Sequence, residues 1–254
     1  MNKKVVFTSI VGDFDTLTQP MIVDESFDYI CFVRKGQVKE KNKGIWKFRE
    51  IPFQCKDNRI MSRYPKMLPH KVLADYEYSI WIDGNVTIKT NEIYEIINNK
   101  IEKKIIYSGL NHWGRDCAYE DAVGCIMSGK DSLKSILKTI SFLKKEKFPK
   151  HWGLFENNVI FRQHLNSKVI EFDELWWETY MKYAKRDQLV HPYCFKVVGL
   201  HKDYLLPKDF CSRNHPAFQY IRHKNQKQER EIIGRIFDGI CRRFKMLIVK
   251  LYSL

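Results

Sequence analysis

The feature that most constrains this chain is an alternation, through its first half, of short apolar runs with turns and helical stretches. Val5 to Val11, Tyr29 to Val33, Ile45 to Ile51, Tyr78 to Ile82 and Ile105 to Leu110 are rich in Val, Ile and aromatics. Runs of that length and composition are strand candidates. Between the third and fourth lies Ser62 to Tyr76, and after the fourth Ile93, Ile96, Ile97 and Ile101 recur at helical spacing in Thr90 to Ile101, with Thr90 as the expected N-cap. Strands alternating with helices predict an α/β fold. Its centre is a mainly parallel, Rossmann-like sheet flanked by helices, in which ligands collect at the carboxyl ends of the strands.

The second half carries more helix. Ser132 to Lys147 places Leu133, Ile136, Leu137, Ile140 and Leu143 on one face and lysines on the rest, the pattern of a surface helix. A strand at Asn158 to Phe161 and a helix around Phe172 to Tyr183 follow, before an expected turn at His191-Pro192. No internal repeat is present.

At 254 residues, 44% of them hydrophobic, the chain can fill one sizeable core. The expected organisation is a catalytic-sized domain over residues 1–221 and an appendage over 222–254. In the appendage nine Lys or Arg stand against three acidic residues, and Ile232, Ile233, Ile236, Phe237, Ile240, Phe244, Leu247, Ile248 and Leu251 are spaced by threes and fours. This is a basic amphipathic helix. Two readings of it stand: it lies in an anionic membrane surface, where apolar burial and cationic attraction add, or it packs its stripe on the domain or in a homodimer.

A net charge of +14 favours anionic partners without choosing between nucleic acid, an acidic membrane and phosphate-bearing small molecules. The seven cysteines include no CxxC pair, which suggests reduced thiols rather than a disulfide framework or a zinc knuckle. Lys3-Lys4 leads straight into Val5-Val6-Phe7 and then Gly12-Asp13, too short an apolar run for a signal peptide. No segment reaches the roughly 20 apolar residues of a membrane span. A cytoplasmic protein is expected, peripheral at the inner face of the cell membrane if the last helix binds lipid.

The residues that carry chemistry gather after the fourth strand. Asp83 follows Tyr78-Ser-Ile-Trp-Ile82, and Gly84 lets the backbone turn there. A carboxylate delivered to a sheet edge suits Mg²⁺ or Mn²⁺ held together with a diphosphate, which needs only one or two protein carboxylates. Asn85, two residues on, offers an amide oxygen to the same side if the chain stays extended. Taken alone, Asp-Gly-Asn is equally a turn. Upstream, Arg59, Arg63, Lys66, His70 and Lys71 supply cations. The first three share a helix face unless Pro65 breaks the turn, and such a face either holds a diphosphate by charge-assisted hydrogen bonds or is solvated surface. His112, Trp113 and Arg115 follow the strand ending at Leu110, so the same cleft is their expected location.

In order along the chain, Thr8-Ser-Ile-Val-Gly-Asp-Phe-Asp15, Arg63-Tyr-Pro-Lys66, Pro69-His70-Lys71 and Ser79-Ile-Trp-Ile-Asp-Gly-Asn85 are followed by His112-Trp-Gly-Arg-Asp-Cys117, Tyr119-Glu120, Gly153-Leu-Phe-Glu156, Arg162, Trp176-Trp177-Glu178 and Arg186-Asp-Gln188. Over residues 4–200 this series resembles a GT-A-like glycosyltransferase family first catalogued as a domain of unknown function. That family includes plant wall- and mucilage-related proteins and proteins of bacterial surface-polysaccharide clusters.

The resemblance implies a GT-A fold, a nucleotide-sugar donor, a divalent cation and transfer of the sugar to a hydroxyl of a surface or lipid-linked glycan. It places Thr8, Arg63, Lys66, Asp83, Gly84, Asn85, His112 and Arg115 around the donor. It implies a metal at Asp83, Asn85 and His201, although Asn85 replaces the second acid of a DxD motif and so puts strong metal dependence in doubt. Asp187 and Gln188 match an Asp-Gln element set beneath the sugar. Glu156, Asp187 and Glu120 are the candidate bases if the reaction inverts, and Asp187 or Gln188 the facing group if it retains. Trp113, Trp176 and Trp177 are candidates to stack on a sugar. A nucleic-acid-binding module is the rival of another class, but no RRM, KH or helix-turn-helix signature is present and no nucleic acid is expected. An inactive nucleotide-sugar-binding scaffold of a polysaccharide assembly complex is the third reading.

Overall fold

A computed structural model describes residues 3–13, 15–183, 185–221 and 232–253, with side chains in the last stretch at 239 and from 241 onward. In chain order the elements are β1 (Lys4–Ile10), β2 (Phe27–Val33), β3 (Asn42–Lys43), β4 (Trp46–Glu50), α1 (Asn58–Met67), β5 (Tyr78–Ile82), β6 (Val86–Ile88), α2 (Glu92–Glu102) and β7 (Tyr107–Asn111). Then come α3 (Ala118–Met127), α4 (Leu133–Lys145), β8 (Phe155–Arg162), α5 (Ser167–Lys182), α6 (Asp187–Val198), β9 (Phe218–Tyr220) and α7 (Ile232–Ser253).

The chain divides into two compact units, one of Met1–Asn111, Glu156–Glu174 and Leu200–Gln226, the other of His112–Phe155, Leu175–Gly199 and Lys227–Leu254. The expected boundary at 221/222 abuts residues 222–231, which lie outside the described ones.

The first unit holds a seven-stranded sheet in the order β3-β4-β2-β1-β5-β8-β7 and a small pair, β6 with β9. β1 runs parallel to both β2 and β5, and β2 parallel to β4. After Lys4, every residue of β1 is buried, as expected of a central parallel strand covered on both faces. The chain moves from β1 outward to β2 and β4, then returns to place β5 on the other side of β1. That reversal opens a crevice at the carboxyl ends of β1 and β5. β8 pairs antiparallel with β5, Ile82 facing Val159, so its beginning lies at the same sheet edge as the end of β5. One face of the sheet packs Val6, Ile80, Ile82 and Phe161 with Ile93, Tyr94 and Ile97 of α2.

The mainly parallel α/β architecture is the expected one; several local details differ. The N-cap of α2 is Asn91 rather than Thr90, and its side chain makes no capping bond. Glu92 and Glu95 in the first turn instead face the positive end of the helix dipole. α1 runs through Pro65, capped by Asp57, whose side chain accepts from the amides of Arg59 and Ile60.

In the second unit the expected turn at His191-Pro192 lies inside α6. Both residues are buried, and His191 meets Trp176 edge-on at 4.8 Å and stacks on Phe195 at 5.5 Å between centroids. This packing outweighs the backbone bond that proline removes. The helix stops instead at Gly199, whose φ of 66° is left-handed. α3, α4 and α7 enclose a core of Cys125, Ile126, Ile136, Ile140, Leu143 and Val249.

Candidate functional site

β5 ends in a turn closed by the Val86 amide, which donates to the Asp83 carbonyl at 2.9 Å, while the Asp83 amide donates to Asn158 of β8 at 2.8 Å. Gly84 packs closely there: a Cβ would sit 2.5 Å from Ile10 Cδ1, the movable end of a side chain at the end of β1. The strand therefore delivers Asp83 to the crevice, where its carboxyl oxygen Oδ1 accepts from Trp81 Nε1 at 2.7 Å and from Lys66 Nζ at 3.1 Å.

Lys66 is 1% exposed and Asp83 23%. Lys66 also stands over the Trp81 ring, 5.4 Å from its centroid. Its position comes from below: the Lys66 carbonyl accepts from Arg162 Nη2 at 2.6 Å, and Arg162 is itself paired with Asp173 at 2.7 Å, both side chains fully buried. Lys66, an expected donor cation, thus lies against the Asp83 carboxylate. His70 and Lys71, two more of the expected cations, pair with Glu174 of α5 at 3.0 and 2.7 Å. Arg63 is half-buried on α1 and Arg59 exposed.

A shallow cleft opens to solvent beside Asp83 and Gly84, lined further by Thr8, Thr18, Tyr29, Trp46 and Thr87. The Thr8 hydroxyl is buried and has no hydrogen-bond partner. Trp46 is held by donating Nε1 to the Thr18 carbonyl at 2.8 Å, and the Thr18 and Thr87 hydroxyls meet at 2.7 Å. Of the expected donor residues the structure brings Thr8, Asp83 and Gly84 to this cleft. Asn85 is buried beside it, its carbonyl accepting from the Ile221 amide at 2.8 Å.

Glu156 lies on β8 two residues before Asn158, the partner of Asp83, and so stands at the same sheet edge. Its carboxylate is 5% exposed, forms an ion pair with Arg213, and accepts from Ser212 Oγ at 3.3 Å. Ser212 in turn accepts from Asn158 Nδ2 at 2.6 Å. Burial raises the Glu156 pKa above its ordinary 4.5, and the neighbouring Arg213 and Ser212 oppose that rise. A carboxyl raised by burial yet still anchored to a cation is a better proton acceptor than a solvated one. The neighbouring Asn157 is buried with neither side-chain polar atom bonded. Nothing in the sequence marks Arg213 and Ser212; they sit in a loop without periodicity, held by local turn bonds such as the Asn214 side chain accepting from the Cys211 amide at 2.7 Å.

Most of the remaining expected residues belong to the second unit. In the second unit His112 Nδ1 accepts from the amides of Gly114 and Arg115, and Arg115 pairs with Asp121 of α3 at 2.9 Å. These contacts fold the loop onto its helix. Asp187 opens α6, its side chain accepting from the Gln188 amide. Trp176 is fully buried and donates Nε1 to the Asp187 carbonyl at 2.9 Å, which removes it as a sugar platform, whereas Trp113 is 66% exposed. His201 is exposed in the first unit.

Against known proteins, residues 1–248 match the family model described as TOD1/MUCI70, glycosyltransferase-like domain. The chain belongs to this family. The probable hexosyltransferase MUCI70 of Arabidopsis thaliana is 27% identical over 187 residues, covering 69% of this chain and 32% of that protein. The chain thus spans about a third of the length of the curated relative it matches. Among solved structures, core-mannan synthase A of Aspergillus fumigatus in its Mn/GDP form aligns over 77% of this chain and 70% of its own, at 9% identity and a TM-score of 0.48. The galactosyltransferase LgtC with donor and acceptor sugar analogues aligns over 79% and 72%, at 10% identity and a TM-score of 0.44. Within the family, the α/β fold described above rests on this chain's own strands.

Proposed function

We propose that this chain is a glycosyltransferase that binds a nucleotide-sugar in the β1/β5 crevice and moves the sugar to a hydroxyl of a glycan or lipid-linked glycan. The observation that carries this reading is the meeting, at one sheet edge, of Asp83 beside an open cleft and Glu156, a buried carboxyl anchored by Arg213. Family membership supports it and disfavours a nucleic-acid-binding module.

Breaking the bond between the anomeric carbon and a diphosphate builds negative charge on the departing phosphate, so positioned cations lower the barrier most. A divalent cation, Mn²⁺ or Mg²⁺, supplies that charge when bound. Asp83 and Asn85 fit it as oxygen donors, with phosphate oxygens completing the shell. Lys66 hydrogen-bonds the same carboxylate and orients it. Glu156 takes the acceptor proton in an inverting reaction, held in place by Arg213 and Ser212.

The acceptor is proposed to be a surface glycan or its lipid-linked precursor, reached by a protein at the inner face of the membrane. Phe244, Leu247, Leu251 and Tyr252 of α7 are exposed on a helix that also carries Arg242, Arg243, Lys245 and Lys250. Co-sedimentation with anionic vesicles, abolished by high salt and by F244E/L247E, supports this; equal binding to neutral vesicles contradicts it. No described helix is long and apolar enough to cross a membrane.

Donor hydrolysis assayed with UDP-, GDP-, CMP- and dTDP-sugars tests the reaction itself. One donor turned over by the wild type and at least 100-fold more slowly by E156Q supports the account. Saturable donor binding without turnover identifies a scaffold.

A further inference from the structure

Among the described residues, one group of metal-ligating side chains converges, and it belongs to the second unit. Cys117 Sγ, a carboxylate oxygen of Glu120 and a ring nitrogen of His151 lie within 4.8 Å of one another. Cys117 is the extended N-cap residue of α3 and Glu120 stands in the first turn, a spacing of three that puts both on one side of the helix start. His151 comes from the loop before β8 with a left-handed φ of 54°, a conformation uncommon for any residue but glycine.

The ring is oriented by a second carboxylate. His151 Nδ1 lies 2.8 Å from Asp116 Oδ1, so Nδ1 carries the proton and donates it. The lone pair is then left on Nε2, 3.9 Å from Glu120 Oε1. The Asp116 carbonyl accepts from the Gly153 amide at 2.8 Å, tying the histidine loop to the same residue. A carboxylate behind a histidine that presents its other nitrogen is how ligating histidines are held in metal sites.

We infer that Cys117, Glu120 and His151 form a site for a transition-metal dication of the zinc class, with Asp116 as the positioning residue and the fourth position left to water. Thiolate, imidazole and carboxylate together select Zn²⁺ over Mg²⁺ or Mn²⁺, which separates this site from an oxygen-donor site at Asp83. Tetrahedral bonds of about 2.0–2.3 Å put ligand atoms roughly 3.4–3.6 Å apart, so the trio closes by a short side-chain movement. Cys117 is the buried anchor and His151 is held by Asp116, while Glu120, 55% exposed at the side chain, can swing in. Bound metal joins the start of α3 to the loop before β8.

The test uses the full chain, reduced and stripped of metal, titrated with Co²⁺ alone and then Zn²⁺. A thiolate-to-cobalt absorption band saturating at one equivalent, displaced by Zn²⁺, is expected. It is lost in C117S and in H151A, and affinity falls about 10–100-fold in D116N. H151A alters an exposed side chain and guards against C117S failing to fold. Zn²⁺ raises the Tm of the wild type and not of H151A. Absence of the band, or a band that survives in both C117S and H151A because other cysteines bind, overturns the proposal.

Discussion

At the residue scale, the Asp83–Lys66 pair couples stability to the site in an asymmetric way. Lys66 is fully buried while Asp83 retains partial solvent access, so losing the carboxylate strands a buried ammonium, whereas losing the ammonium leaves an acid that water still reaches. D83A is expected to cost about 2–3 kcal/mol in urea denaturation and K66M at least 1 kcal/mol less; equal losses would show that the pair is solvated on both sides.

His164 gives a pH signature. It is buried, its Nε2 meets the Leu73 carbonyl at 2.9 Å, and its Nδ1 has no partner. Burial lowers its pKa from 6.5 to about 4. The unfolded chain therefore binds the proton first, and stability falls as pH drops from about 6.5 through 4, by about 3 kcal/mol in all. Unfolding measured against pH checks this, and H164Q flattens the profile. Glu156 moves the other way, its pKa raised by burial: as a base it must be ionised, so the acidic limb of the kcat/KM profile is expected above pH 4.5. Loss of that limb in E156Q alongside residual activity would confirm the assignment; an unchanged limb would remove it.

At the element scale, what the sequence makes legible is burial rather than direction. The apolar runs at Val5, Tyr29 and Tyr78 correspond to β1, β2 and β5 because parallel central strands are covered on both faces and read as unbroken hydrophobic stretches. Strand direction leaves no such trace. That β8 runs against β5, and so brings Glu156 to the Asp83 edge, follows from pairing alone. Pro192 shows the converse error: a local breaker was overruled by the aromatic packing of its neighbour His191. The contacts of Lys66 with Asp83 and Arg162 are long-range and leave no local mark in the sequence. The Asp83 turn itself was legible because Gly84 has a steric reason. G84A sets a Cβ against the movable end of Ile10, and is expected to lower Tm only slightly while weakening donor binding; unchanged donor affinity would separate the turn from the site.

At the scale of the whole molecule, family membership and the α/β sheet agree with the sequence reading, while the proposed site is assembled from segments far apart in the chain. Thr8, Lys66, Asp83, Glu156 and Arg213 come from β1, α1, the end of β5, β8 and the loop before β9. The sequence motifs named the first four. Arg213 joins them only through folding, since no local pattern marks a loop residue whose value lies in its partner.

The central claim is that the crevice at Asp83 holds a nucleotide-sugar. Calorimetric titration of UDP-, GDP-, CMP- and dTDP-sugars, with and without Mn²⁺, into the wild type and into D83N tests it most directly, because asparagine keeps the acceptor for Trp81 and Lys66. The account predicts saturable binding of one donor at one equivalent, weakened at least tenfold in a folded D83N. No donor binding at all, or equal affinity in D83N, would contradict it.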